Sequence, residues 1–427
     1  MKEGKVGLLV LAVLVLSWSL SSASFGDKLH RRKWMPPDEA TSSSMMNRVG
    51  SSFLFPIHGN VYPMGYYNVT LSVGQPPKPY FLDLDTGSDL TWLQCDAPCV
   101  QCTEAPHPLY QPSNDLVPCK DPLCVSLHPP GQHKCENPEQ CDYEIRYADH
   151  GSSLGVLVRD VFVLNYTNGI QIKPRLALGC GYDQLPGSCY HPLDGILGIG
   201  RGKSSMISQL HSQGWVRNVI GHCLSVQGGG YLFFGDDLYD PSRVTWTPMS
   251  RDYSKHYSPG TAELIFGGKA TGVNNLLVVF DSGSSYTYFN SKAYQALIYL
   301  VKKELTGKPL REASDDRTLN LCWKGRKPFK SVCDVRKYFK PLALRFTSGG
   351  RAKTQFELSP ESYLIISNKG NVCLGILNGT EAGLQDSNVI GDISMQDKLM
   401  IFDNEKQLIG WAPAICDWIP KIKHSRI

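Results

Sequence analysis

One short pattern occurs twice in this chain and constrains its fold more than any other feature. Phe81-Leu82-Asp83-Leu84-Asp85-Thr86-Gly87-Ser88-Asp89 is an apolar run that ends in Asp, a small hydroxyl residue and Gly. Leu277-Val278-Val279-Phe280-Asp281-Ser282-Gly283-Ser284-Ser285 repeats it far downstream. Each copy reads as a buried strand that stops at a tight turn and leaves one carboxylate at its tip. A single Asp-Thr-Gly is an ordinary turn, since all three residue types favour turns. Two copies, each behind an apolar strand, imply one half-molecule used twice. A second match supports the duplication. Leu193-Asp194-Gly195-Ile196-Leu197-Gly198-Ile199-Gly200 and Asn388-Val389-Ile390-Gly391-Asp392-Ile393 place Gly198 113 residues after Asp85 and Gly391 110 residues after Asp281. Two unrelated core strands have no reason to keep matched offsets.

A pseudo-two-fold axis that joins the two turns would set their carboxyls face to face. Like charges at that range cannot both ionise, so the pair shares one proton. One oxygen then acts as general base on a water, and the other carboxyl acts as general acid. Gly87 and Gly283 let the backbone turn tightly, and the hydroxyls of Thr86 and Ser282 can tie the turns together.

Asp85-Thr86-Gly87-Ser88 with Asp281-Ser282-Gly283-Ser284 resembles the paired motif of the pepsin-like aspartic endopeptidases, the standard example of the shared-proton dyad. Asp85-Thr86-Gly87-Ser88-Asp89-Leu90-Thr91-Trp92-Leu93-Gln94-Cys95, followed by a Cys-rich insert, is similar to the plant nucellin-like and nepenthesin-like branch. The similarity runs from about Tyr66 to about Cys416. It implies an all-β, bilobal fold, with two pseudo-symmetric lobes and a cleft between them that takes extended polypeptide substrates. It implies Asp85 and Asp281 as catalytic residues working at acidic pH, with no metal or cofactor. Thr86, Gly87, Ser88, Ser282, Gly283 and Ser284 would support them, the two outer serines by hydrogen-bonding the carboxylates. In the family a hairpin matching residues 142–155 is a flap over the cleft. Its tyrosine maps to Tyr147 and the Trp that supports it to Trp92, seven residues after Asp85. The flap tip has one more residue, around His150, than the shorter pepsin-type flap. The competing reading on the same fold is a secreted binding or inhibitor protein without the catalytic pair; here both motifs are intact. A serine-hydrolase elbow is not read in the sequence.

A chain of 427 residues exceeds one ordinary core, so two lobes are expected. Its 40 Gly and 28 Pro, spread between short apolar and aromatic runs, favour β structure with many turns. A net charge of +4, much of it near the two ends, gives no reason to expect a nucleic-acid partner. Met1 to Ala23 reads as a signal peptide, with Lys2 and Lys5 before an apolar stretch and small residues for cleavage, the alternative being an uncleaved anchor. Residues 24–60 read as a propeptide or a disordered linker, 61–248 as an N-terminal lobe, 249–416 as a C-terminal lobe and 417–427 as a basic tail without a lipid-anchor signal. The expected product is a monomer of the secretory pathway (secreted, cell-wall or vacuolar) with no stable membrane insertion.

Fourteen cysteines behind a signal peptide point to disulfides. Seven lie in or beside the insert 95–141: Cys95, Cys99, Cys102, Cys119, Cys124, Cys135 and Cys141. The Cys99-Val100-Gln101-Cys102 pair would suit a zinc knuckle only in a reducing compartment. Cys180, Cys189, Cys223, Cys322, Cys333, Cys373 and Cys416 complete the set, and Cys333 does not fit the family pattern. Ser204 to Trp215 and Tyr294 to Leu305 read as helices. Pro360 to Ile366 and Val372 to Leu377 read as strands, and 399–412 as a closing hairpin. Gly228-Gly229-Gly230 is a turn rather than a phosphate loop, because no Lys-Ser/Thr follows. Asn68, Asn165 and Asn378 match the glycan acceptor pattern, Asn378 being the most favourable beside its Gly.

Overall fold

The structure, a computed structural model, describes residues 51–128, 135, 139–187, 191–253, 255–346 and 354–418. The expected signal peptide, residues 24–50 of the expected linker, Cys189 and most of the expected basic tail lie outside the described residues. Among those described, no helix is long and apolar enough to cross a membrane.

Three sheets carry the fold, of fourteen, eight and four strands. The two aspartate strands are Lys78–Asp85 and Leu276–Phe280, and each lies inside one of the two larger sheets. Each is also paired in parallel with a second strand of its own half. Leu82–Asp85 lies beside Gly195–Gly198, and Val278–Phe280 beside Asn388–Ile390. The matched glycine offsets therefore mark a matched topology. A Cβ on Gly198 would meet the backbone around Asp89 and Leu90 at 2.5–2.6 Å. A Cβ on Gly391 would sit 2.1 Å from the Tyr286 carbonyl oxygen and 2.3 Å from that of Ser284. Both positions exclude any side chain, because the crossing strand passes against the backbone of the aspartate turn.

The core is continuous through both halves. Phe280, the residue before the second aspartate, packs edge-on to Phe356 at 5.1 Å and tilts against Trp411 at 6.4 Å. Both expected helices are present. Met206–Ser212 is capped by Ser205, and Ser291–Leu305 by the Asn290 side chain on the Ala293 amide at 3.0 Å. Each agrees with its expected stretch apart from its ends.

Several expectations are corrected. The linker does not reach residue 60, because Phe53–Asn60 is a strand paired with Gly230–Phe234 on one side and with Tyr66–Val73 on the other. Its apolar residues alternate only partly, which hid it in the sequence. The C-terminal lobe is not a self-contained 249–416 unit. The closing hairpin, Lys398–Asp403 and Leu408–Pro413, joins the fourteen-stranded sheet through Val219–Leu224. Pro360–Ser362 is a 3-10 turn that precedes the short strand Leu364–Ile366. Val372–Leu374 and Ile376–Asn378 are separate strands in two different sheets.

Six disulfides are present among the described residues: Cys95–Cys180, Cys99–Cys102, Cys119–Cys135, Cys124–Cys141, Cys223–Cys416 and Cys322–Cys373. Four involve the insert, which has little apolar content of its own. Cys333 is a free, exposed thiol. Of the three glycan acceptors only Asn165 is exposed. Asn378, the expected favourite, is 6% exposed, and its amide donates to Glu381 at 2.8 Å; Asn68 is equally buried within its strand.

Gly391→Ala should destabilise the fold by at least about 2 kcal/mol, because the atoms a methyl group would strike are backbone and cannot step aside. Thermal unfolding of this variant beside Gly268→Ala, where a Cβ meets open space, checks the claim. Gly268 has a positive φ of 76°, so its own strain sets the baseline that Gly391→Ala must exceed.

Candidate active site

The two turns hold each other. The Ser282 hydroxyl accepts from the Thr86 amide at 3.1 Å and donates to the Leu84 carbonyl at 2.8 Å. In return the Thr86 hydroxyl accepts from the Ser282 amide at 2.9 Å and donates to the Phe280 carbonyl at 3.3 Å. Thr86 and Ser282 are almost fully buried, so water cannot replace these bonds.

Each carboxylate is then oriented by its own turn. Oδ1 of Asp85 accepts from the Gly87 amide at 2.7 Å and the Ser88 amide at 3.2 Å, and Oδ2 accepts from the Ser88 hydroxyl. Asp281 repeats the scheme, with the Gly283 amide on Oδ1 at 2.9 Å and the Ser284 hydroxyl on Oδ2 at 3.1 Å. A Cβ built on Gly283 would lie 2.7 Å from Oδ1 of Asp85 and 3.3 Å from Oδ1 of Asp281. One built on Gly87 would lie 2.5 Å from Oδ1 of Asp281. Both Oδ1 atoms thus lie within contact distance of the position a Gly283 methyl group would take, and both glycines are required by that closeness. Burial, and then the Asp281 charge, push Asp85 well above the ordinary carboxylate range.

The expected flap is a hairpin of Asp142–Arg146 with Ser152–Asn165. At its tip the Tyr147 amide donates to the Gly151 carbonyl at 2.8 Å, and His150 takes up the extra residue in a left-handed conformation at φ 71°. The Tyr147 hydroxyl accepts from Nε1 of Trp92 at 2.7 Å. Burial, and then the Asp85 carboxylate, push the Tyr147 phenol well above its usual range, so it stays a hydroxyl. Gly151-Ser152-Ser153-Leu154-Gly155 does carry the spacing of a serine-hydrolase elbow. It runs along a hairpin strand, however, with Ser153 fully buried against the Tyr143 hydroxyl at 3.0 Å, so no nucleophile is presented.

The expected dyad, turn and flap residues, from Asp85 to Tyr147, converge on one place. Three further residues of the site were not singled out in the sequence. Asp83 is 8% exposed and its Oδ2 lies 2.6 Å from Nδ1 of His191. Asp392, next to the crossing glycine, is 1% exposed, and its Oδ1 has no hydrogen-bond partner among the described residues. Burial, followed by the charges of Asp83, Asp281 and Asp85, pushes Asp392 well above the ordinary carboxylate range. Alternation along the strand puts Asp83 on the face of Asp85, a signal present in the sequence. Nothing in the sequence pointed to His191.

The family comparisons agree with this geometry. Two family models, described as Xylanase inhibitor N-terminal and Xylanase inhibitor C-terminal, match residues 67–236 and 266–413. An aspartic proteinase of Oryza sativa subsp. japonica is 47% identical over 384 residues, covering 87% of this chain and 93% of that protein. The chain belongs to the plant pepsin-like aspartic proteinase family. Aspartic proteinase nepenthesin-1 of Nepenthes gracilis is a more distant member, 27% identical over 82% of this chain and 78% of its own. Basic 7S globulin from soybean shares the fold, with a TM-score of 0.66 at 16% identity over 87% of this chain and 99% of that one.

Asp85 and Asp392 have folded-state pKa values above their unfolded ones, the reverse of a salt-bridged carboxylate. The native state therefore holds extra protons, and stability falls as pH rises from the ordinary carboxyl range through the raised values. His222, fully buried without a hydrogen-bond partner among the described residues and pushed down to about 3 by burial, acts with the opposite sign below its unfolded value. Comparison with Asp392→Asn cancels the His222 part. Between about pH 4 and about pH 7 the wild type should lose at least about 1 kcal/mol more stability than this variant, as read by urea unfolding at both pH values.

Proposed function

We propose that this member of the family is an active aspartic endopeptidase that cleaves polypeptides at acidic pH. The observation that carries the reading is the closeness of the Asp85 and Asp281 carboxyls across the locked turns, with each outer oxygen held by its own serine. In this mechanism a water between the two carboxyls is the nucleophile. The ionised carboxyl takes a proton from the water as it attacks the scissile carbonyl carbon, while the protonated one gives its proton to the carbonyl oxygen. A tetrahedral diol forms; the first carboxyl then passes its proton to the leaving amine as the C–N bond breaks, and a diol hydroxyl returns its proton to the second carboxyl. No bond to the enzyme is made. The substrate lies extended in the cleft, held by backbone hydrogen bonds, and Tyr147 closes over it from the flap. Because one carboxyl must stay protonated, activity belongs to acidic pH. Disulfides and the N-terminal sequence favour a route through the secretory pathway.

A second reading is a binding protein on the same scaffold, favoured by the xylanase-inhibitor description of the matching family models. Cleavage of denatured protein at acidic pH, inhibited by pepstatin, separates the two. Asp85→Asn and Asp281→Asn should each lower that activity at least about a thousand-fold without loss of fold; a fully active single variant refutes the dyad. Tyr147→Phe keeps the ring and loses the hydroxyl that meets Trp92. A roughly tenfold fall in kcat/KM is expected, the equivalent of about one hydrogen bond, measured with an acid-cleaved peptide.

A further inference from the structure

The two halves differ at one position where their symmetry predicts likeness. Two residues before each catalytic aspartate, on the same face of the strand, stands Val279 in the second half and Asp83 in the first. Val279 is an ordinary buried apolar residue. Asp83 is equally buried and carries a carboxyl, which costs more to bury than a Val of similar size. The carboxyls of Asp85 and Asp281 are oriented by their own turns, so the dyad does not need Asp83 for orientation. The partner of Asp83 is His191 at 2.6 Å, whose ring packs on Tyr66 with centroids 4.8 Å apart.

The charged and titratable groups around the pair come from every element that surrounds it. Asp83 faces His191, the Tyr66 hydroxyl, and the carboxyls of Asp85, Asp281 and Asp392. His191 faces Asp83 and, from the flap turn, Asp149. Its side chain is 17% exposed, which leaves it a path for protons. Burial works against the imidazolium, but the hydrogen bond and charge of Asp83 outweigh it and leave the His191 pKa raised. Burial also raises Asp83, and the bond and charge of His191 offset that only in part.

We propose that Asp83 and His191 form a charge-balancing pair that sets the pH window of the Asp85–Asp281 dyad. The proposal rests on the peptidase reading for its consequence, but not for its test. Above the raised Asp83 pKa and below that of His191 the imidazolium and the carboxylate cancel, so the dyad's shared proton feels neither alone. Loss of Asp83 leaves a lone cation beside the dyad, which favours the doubly ionised form, and the proton is then lost at lower pH. Loss of His191 leaves a lone carboxylate, and the proton is held to higher pH. Both residues are thus positioning residues that act through the dyad's electrostatics.

The test uses Asp83→Asn, His191→Gln and the double variant of the full chain. The first readout is the titration of the Asp85 and Asp281 carboxyls, followed by their 13C resonances, which needs no turnover. The second is the pH profile of kcat/KM. The dyad's upper midpoint should move down by about one unit in Asp83→Asn and up in His191→Gln, and return near the wild-type value in the double variant. The His191 ring should also titrate about one unit lower in Asp83→Asn. Should Asp83→Asn fail to fold, the upward shift in the more exposed His191→Gln decides alone. Folded variants whose carboxyls titrate as in the wild type overturn the proposal, as do single shifts in one and the same direction. A wild type that cleaves nothing at any pH sinks the peptidase reading, while the carboxyl titration still decides the pair.

Discussion

The exchange of hydrogen bonds between Thr86 and Ser282 is the contact on which the site depends. Each residue gives its hydroxyl to the other half's strand and takes the other's amide. Two carboxyls of like charge would otherwise drive the turns apart. Four bonds between nearly inaccessible groups set a fixed separation, because every alternative leaves a buried polar atom unpaired. The electrostatics of the dyad is a consequence of this grip. Only when the carboxyls cannot retreat does sharing one proton become the cheaper state.

The grip needs a backing, and the crossing strands supply it. Gly198 and Gly391 bring Gly195–Gly198 and Asn388–Ile390 against the aspartate turns with no intervening side chain. A turn pressed between a buried strand and its opposite number has little freedom, so Gly87 and Gly283 can present bare backbone to the opposing carboxyl. The flap attaches to the same frame through Trp92, whose strand pairs with Gly195–Gly198 on one side and with Arg175–Leu185 on the other. One frame thus orients the carboxyls, the outer serines and the tyrosine above them.

Legible in the sequence was what the duplication repeats, together with Trp92 and Tyr147, which the family resemblance supplied. Asp85 and Asp281, their turn residues and the crossing glycines all occur twice at matched offsets, and chance does not repeat offsets. What was missed breaks the symmetry. Asp83 has Val279 as its counterpart, and His191 belongs to no repeated pattern. Asp392 stands inside the second glycine match, where a carboxyl after a glycine gives no hint of its depth. The first strand, Phe53–Asn60, was taken for linker because its pattern is blurred by residues that pack on both sides of a large sheet. Asn378 looked open beside its glycine, but its side chain turns inward to Glu381 and Ser291.

The site concentrates four carboxyls, of Asp83, Asp85, Asp281 and Asp392, in one poorly solvated region. They cannot all be ionised, and the fold offers three ways around the problem. In the proposed reading Asp85 and Asp281 share a proton, burial makes Asp392 hold its proton more tightly than an ordinary carboxyl, and His191 balances Asp83. These solutions differ in their dependence on pH. The first two fail as protons are withdrawn, whereas an ion pair with an imidazole persists until the ring itself is neutral. A molecule built this way is most at ease where protons are plentiful. The acidic preference proposed for it is then a property of the whole cluster, written into stability as well as chemistry, and the dyad alone does not account for it.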